Sequence, residues 1–273
     1  MSILRIPPSP HRALRFAAVL IALLLVLQPI VPAQRPGGGI AAHLEFGNPG
    51  GNGVLLDKGY FVVSYDTEAR IPDWVAYRLR RSDLNGPADR TDDFRPDEAL
   101  DDDARSELRD YERSGYDRGH MAPAEDFSRS ERAMSTTFLL SNMTPQRPKL
   151  NRGKWRALEG QIRRLADDVG TIWVITGALF TNQRPAHHRQ SIGDGRVAVP
   201  TDVYKVILGR DASGEFSMFA FVMPNALNSL RGRPADFVES VNEVERLSGL
   251  NFFDVLDDAV ENDLESSAAE WPF

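Results

Sequence analysis

The sequence predicts an α+β fold, and three observations carry that expectation. Runs of β-branched and aromatic residues of strand length recur along the chain, other stretches place apolar residues at helical spacing, and the two kinds alternate irregularly with no internal repeat. The chain has 273 residues, 42% of them hydrophobic, enough for the core of one globular domain or at most two. It contains no cysteine, which excludes disulfides, thiolate catalysis and cysteine–zinc sites.

Residues 1–33 stand apart from the fold. Arg5, Arg12 and Arg15 precede the apolar run from Phe16 to Leu27, and Pro29 and Pro32 follow it. This pattern reads as a secretory signal cleaved after Ala33, leaving residues 34–273 as an exported domain. The competing reading is an uncleaved membrane anchor, although the run falls short of the ~20 residues that a span prefers. Gly- and Pro-rich sequence then leads from Gln34 into the first turns.

"YFVVSYD" and "DWVAYRLRR" have strand composition, and residues 82–113 are polar and Asp-rich, as expected of a surface excursion. "TTFLLSN" (Thr136 to Asn142) predicts a buried strand that the prolines of "MTPQRPKL" end. Trp155, Leu158, Ile162 and Leu165 predict an amphipathic helix from Asn151 to about Gly170. Three strands follow: "TIWVITGALF", "DVYKVILGR" and "EFSMFAFVMP". Phe237, Val241, Val244 and Leu247 then fit one helical face, and Phe252, Phe253, Leu256, Val260 and Leu264 fit a docked terminal helix.

The net charge of −7 is unevenly spread. Seven acids and no base lie beyond Asn251, whereas Arg147, Lys149, Arg152, Lys154, Arg156, Arg163 and Arg164 face only Glu159 between Pro145 and Arg164. That segment is a basic face suited to a polyanion, or an ordinary solvated helix surface.

No H-E-x-x-H, G-x-S-x-G or P-loop pattern is present. Among the histidines, His43 precedes a strand and reads as an edge residue, and the adjacent side chains of His187 and His188 diverge in a polar loop. His120, in "SGYDRGHMAPAEDF", sits among turn-formers beside Asp117, Arg118 and Gly119. Spacing alone leaves it either structural or catalytic. Asn151, Trp155, Glu159 and Arg163 recur every four residues, so they climb one helical face. That stripe is either an N-cap, a core tryptophan and a helix ion pair, or a set with chemistry. Together with His120 it matches the needs of metal-assisted phosphodiester hydrolysis: an imidazole base, an oxygen ligand for a hard cation, a carboxylate and phosphate-binding guanidiniums.

At these residues the sequence resembles the DNA/RNA non-specific endonucleases of the ββα-metal class, in particular their endonuclease G branch. The likeness runs through "DWVAYRL", "GYDRGHMAPAEDF", "FLLSNMTPQRPKLNRGKWRALE" and "SGLNFFDVL". It implies a ββα-metal core set on a mixed, mainly antiparallel sheet flanked by helices. It further implies His120 as the general base, Asn151 as the direct protein ligand of Mg²⁺ (or Mn²⁺), and Glu159 holding water of the metal's shell. Arg118 and Arg163 would stabilise the phosphate, and Arg90, Lys149, Arg152 and Lys154 would bind the nucleic-acid backbone. Asp117 and Asn142 would orient the site. The expected activity is endonucleolytic hydrolysis of DNA and RNA with little base preference, because phosphate contacts carry little sequence information. A homodimer is a further expectation of the resemblance. Two other functions fit the sequence. A catalytically silent nucleic-acid-binding module would bind without cutting, and a phosphodiesterase of small nucleotides would prefer a dinucleotide to polymers.

Overall fold

A computed structural model describes residues 39–181, 190–228 and 230–273. The strands in chain order are β1 (Val54–Asp57), β2 (Val62–Asp66), β3 (Ile71–Arg80), β4 (Asp117–His120), β5 (Met143–Gln146), β6 (Thr171–Leu179), β7 (Ser191–Ile192), β8 (Val197–Ala198), β9 (Asp202–Arg210), β10 (Phe216–Pro224) and β11 (Val238–Glu239). The helices are α1 (Ile40–His43), α2 (Leu108–Tyr111), α3 (Glu131–Thr136), α4 (Arg156–Val169), α5 (Val241–Ser248) and α6 (Asp258–Glu265).

Seven of the strands form one sheet in the order β1-β2-β3-β6-β9-β10-β11, with antiparallel neighbours throughout. The fold is therefore α+β, as the sequence predicts. Its central strands read as continuous apolar runs because both faces of the sheet are covered. Side chains alternate along β9, so Val203 and Ile207 pack toward Trp155, Leu158 and Ile162 of the helical segment, while Tyr204, Val206 and Leu208 join Val241, Val244 and Phe252 on the other side. Trp271 fastens the terminus to the first face: its ring meets Phe219 and Phe221 edge-on, both at 4.9 Å, and its Nε1 donates to Gln161 Oε1 at 2.8 Å.

Several expectations need correction. Residues 136–142 are not a strand: α3 ends at Thr136, and Leu140–Asn142 form a 3₁₀ turn. The strand lies just beyond, at Met143–Gln146, with Pro145 inside it. Proline is tolerated because β5 pairs only with β4, leaving a side where no ladder N–H is required. The predicted helix also starts later. Leu150–Trp155 form a wide π-type turn, broken by Gly153 at φ −111° and ψ −108°, so Asn151 is not an N-cap. The helical face expected from Phe237 to Leu247 is shortened to α5, which leaves Phe237 outside it and is capped by the Ser240 side chain. The docked terminal helix is present as α6, with Phe252, Phe253 and Leu256 buried ahead of it and Val260 exposed. β1, which the sequence reading missed, carries the exposed Val54 and Leu55 at the sheet edge.

Candidate active site

The site grows from the β4–β5 ribbon. Gly119 faces Thr144 across it, and a Cβ at position 119 would stand 2.3 Å from the Gln146 Cδ, so a side chain there has no room. The turn after His120 is clamped by the buried Asn142. The Asn142 backbone carbonyl accepts from Met121 N–H (3.0 Å), its Oδ1 accepts from Ala122 N–H (2.9 Å), and its Nδ2 donates to the carbonyls of Ala122 (3.0 Å) and Thr137 (2.9 Å).

His120 is held rigidly by this clamp and by two phenylalanine rings, Phe94 at 5.6 Å and Phe138 at 4.9 Å, both edge-on. Its Nε2 is buried and has no hydrogen-bond partner among the described residues. Burial first, and then the charges of Arg90 and Arg118, push its pKa down to about 3. The ring is therefore neutral near pH 7, with a lone pair free to take a proton.

Across from it, the wide turn presents Asn151. Its Nδ2 donates to Asp117 Oδ2 at 2.9 Å, and the Arg152 guanidinium grips both Asp117 oxygens, Nε at 2.8 Å and Nη2 at 2.6 Å. Asp117 thereby sets which way the Asn151 amide faces, and no donor among the described residues meets the opposite atom, Oδ1. One turn up α4, Glu159 is buried, and desolvation raises its pKa against the opposing pull of Lys205 and Arg163.

His120, Asn151, Glu159, Asp117, Arg118, Arg90 and Arg152 all line one cleft of about 530 Å³, with Arg156 and the aromatic wall of Phe94, Tyr111 and Tyr116. The arginines are braced by rings: Arg118 lies 4.1 Å from the Phe94 centroid, Arg90 4.9 Å from Phe138, and Arg147 3.9 Å from Tyr116. Arg90 also pairs with Asp92 (2.7 Å) and Glu125 (3.8 Å).

Three expected residues lie elsewhere. Arg163 does not line the cleft; it donates to Asp126 Oδ1 at 2.9 Å, and Tyr77 caps the other oxygen at 2.8 Å. The four-residue spacing puts it on the stripe, but a buried carboxylate beneath the helix captures it. Lys149 and Lys154 also lie outside the cleft lining. His43 is buried rather than an edge residue, its Nδ1 accepting from the Arg78 N–H at 3.1 Å. His187 and His188 fall outside the described residues.

Sequence reasoning missed Phe94 and Phe138 as the walls of the His120 pocket, and Asp126 and Lys205 beneath it. A signal for Lys205 existed: it is the single charge inside "VYKVILG", and a charge in an otherwise apolar run is rarely buried without a partner.

The pattern of the DNA/RNA non-specific endonuclease family matches residues 40–259. Mitochondrial endonuclease G of Bos taurus is 36% identical over 230 residues, covering 82% of this chain and 77% of that protein. Nuclease C1 of Cunninghamella echinulata is 36% identical over 229 residues, covering 81% and 91%. The mitochondrial nuclease EXOG of Danio rerio is 41% identical over 203 residues, covering 71% of this chain but only 59% of that protein. A crystal structure of the EndoG/EndoGI complex superposes with a TM-score of 0.74 at 36% identity, covering 80% of this chain and 92% of the solved one.

These relatives overturn the expectation of an exported or anchored protein, since the endonuclease G and EXOG proteins are mitochondrial by name. The physical source of the misreading is that an arginine-bearing, acid-free leader is common to more than one kind of targeting segment. Residues 1–33 lie outside the described residues, and no helix among the described residues is long and apolar enough to cross a membrane.

Proposed function

Because this chain belongs to the DNA/RNA non-specific endonuclease family and is an endonuclease acting on DNA and RNA, we propose that His120 is the base of its reaction and Asn151 its metal ligand. The observation that supports this most directly is that His120, with an unpartnered buried ring nitrogen, lines the same cleft as Asn151 and Arg118. A buried nitrogen with no partner calls for an absent one.

His120 takes the proton from the attacking water, and its neutral state follows from burial among Phe94 and Phe138. Arg118, stacked on Phe94, offers its N–H groups to the phosphate, with Arg90 and Arg152 along the same wall. The donor set fits a hard cation. Among the described residues no cluster of three or more histidines or acids could hold a metal, but Mg²⁺ keeps most of its waters and needs only one or two protein groups plus phosphate oxygens. Asn151 Oδ1 has the free lone pairs, and Glu159, which lines the same cleft, would hold water of the shell. When bound, the cation would neutralise charge on the leaving oxygen.

The test is cleavage of plasmid DNA and of RNA with Mg²⁺, then with EDTA, for wild type and His120→Ala. We expect Mg²⁺-dependent cutting that EDTA stops, lost by roughly 10²–10⁴-fold in the mutant with binding retained. Undiminished cleavage by His120→Ala would remove the histidine from its role. Wild type that binds without cutting under any divalent cation would contradict the metal-dependent reading.

A further inference from the structure

We propose that Lys205 is a positioning residue for this reaction, tying the backbone that follows His120 to the helical segment that presents Glu159. The inference rests on the roles proposed above for those two side chains. Lys205 lies on β9 in the middle of the sheet and is fully buried. Its Nζ donates to the Met121 carbonyl at 3.3 Å and to Thr176 Oγ1 at 2.9 Å, and stands 4.7 Å from the centroid of the Trp155 ring. Met121 is the residue after the base, Trp155 lies one turn before Glu159, and Thr176 is the cross-strand partner of Lys205 on β6. One ammonium therefore touches both catalytic segments and the rigid sheet beneath them.

Packing alone does not ask for a lysine here. Val203 and Ile207 on the same face show that an aliphatic side chain suits the layer, and a buried ammonium is costly unless acids and acceptors surround it. The charges that face Lys205 are Glu159, Asp126 and Arg163, and Arg163 is already engaged with Asp126. Among the described residues Glu159 has no ion-pair partner within bridging distance, and Lys205 and Arg163 are the cations that favour its charged form. Without the ammonium, two buried carboxylates share one guanidinium, and the Met121 carbonyl loses its donor. Both changes loosen the geometry between base and metal helix while leaving the arginine-lined cleft intact.

The experiment compares three variants of the full chain with wild type, measuring kcat and KM on DNA at saturating Mg²⁺, affinity for DNA in EDTA, and Tm. Lys205→Met removes the charge at similar length. Thr176→Val removes one acceptor of the ammonium with little change in shape. Val206→Ala vacates core space on the opposite face of the same strand. We expect Lys205→Met to lower kcat by about 10- to 100-fold, the usual effect of losing a group that orients metal-site residues, with KM and affinity in EDTA unchanged. Thr176→Val should lower kcat by a smaller factor in the same direction, and Val206→Ala should lower Tm while leaving kcat at the wild-type value. Wild-type kcat in Lys205→Met overturns the proposal, as does a kcat loss in Val206→Ala that tracks its Tm in the same way. If Lys205→Met does not fold, Thr176→Val decides, and an unchanged kcat there overturns the idea. A wild-type chain that fails to cut removes the site reading and this inference together, whereas cutting with an unaffected Lys205→Met removes this inference alone.

Discussion

The roles proposed for His120 and Asn151 rest on opposite surroundings. The histidine is stripped of partners, with Nε2 buried and unmatched, whereas the amide is pinned at one end so that the other is free. Asn151→Ala should therefore abolish the Mg²⁺ dependence together with the activity, and a normal Mg²⁺ titration of residual cleavage would refute its role. Asp117→Ala should release the amide and the Arg152 fork at once. The expected loss is about 10–100-fold in metal affinity or activity, read by titrating Mg²⁺ against cleavage rate. That His120 and Asn151 share one cleft was legible in the sequence because "DRGH" and "LNRGKW" are compact motifs. Arg163 was misread because spacing on a helix tells which face a side chain shares, not which buried acid waits beneath it.

At the scale of elements, the β4–β5 ribbon shows how local rules bend to function. Two strands of four residues are too short to be stable alone, so the ribbon depends on the Asn142 clamp, on the Asn225 side chain holding the Pro145 carbonyl at 2.9 Å, and on the sheet below. Gly119→Ala should destabilise the protein by about 1–3 kcal/mol through overpacking against Gln146, measured as a lower urea midpoint. Unchanged stability would mean that the buried Gln146 side chain yields freely. The long strands β3, β6, β9 and β10 were predicted within one or two residues because apolar composition over nine or ten positions outweighs any local irregularity. The short β5 was displaced because its proline is a strand breaker only where every N–H must pair. Asn151 lost its expected cap role because Gly153 lets the chain widen before α4 begins.

For the molecule as a whole, stability and charge are set by groups far from the cleft as well as in it. His43 is 4% exposed, and burial lowers its pKa to about 4, so the folded state prefers the neutral ring. As pH falls from 6.5 toward 4, the unfolded chain takes up a proton that the native state refuses, and stability declines across that window. His43→Asn keeps an acceptor for the Arg78 N–H but cannot titrate. Its unfolding free energy should lose up to one proton's worth of pH slope there, roughly 1.4 kcal/mol per pH unit, in urea titrations across the range. An identical slope in mutant and wild type would show that His43 does not contribute. The sequence by itself determined the α+β class, the positions of the long strands along the chain and the nuclease motifs, because hydrophobic period and compact motifs are properties of neighbouring residues. Only the tertiary structure decided which side chains meet. It sent Arg163 inward to Asp126, left His120 Nε2 without a hydrogen-bond partner among the described residues, and set Lys205 against the Met121 carbonyl and the Trp155 ring. Those outcomes depend on groups separated by tens of residues in the chain, brought together by a sheet whose two faces must both be buried.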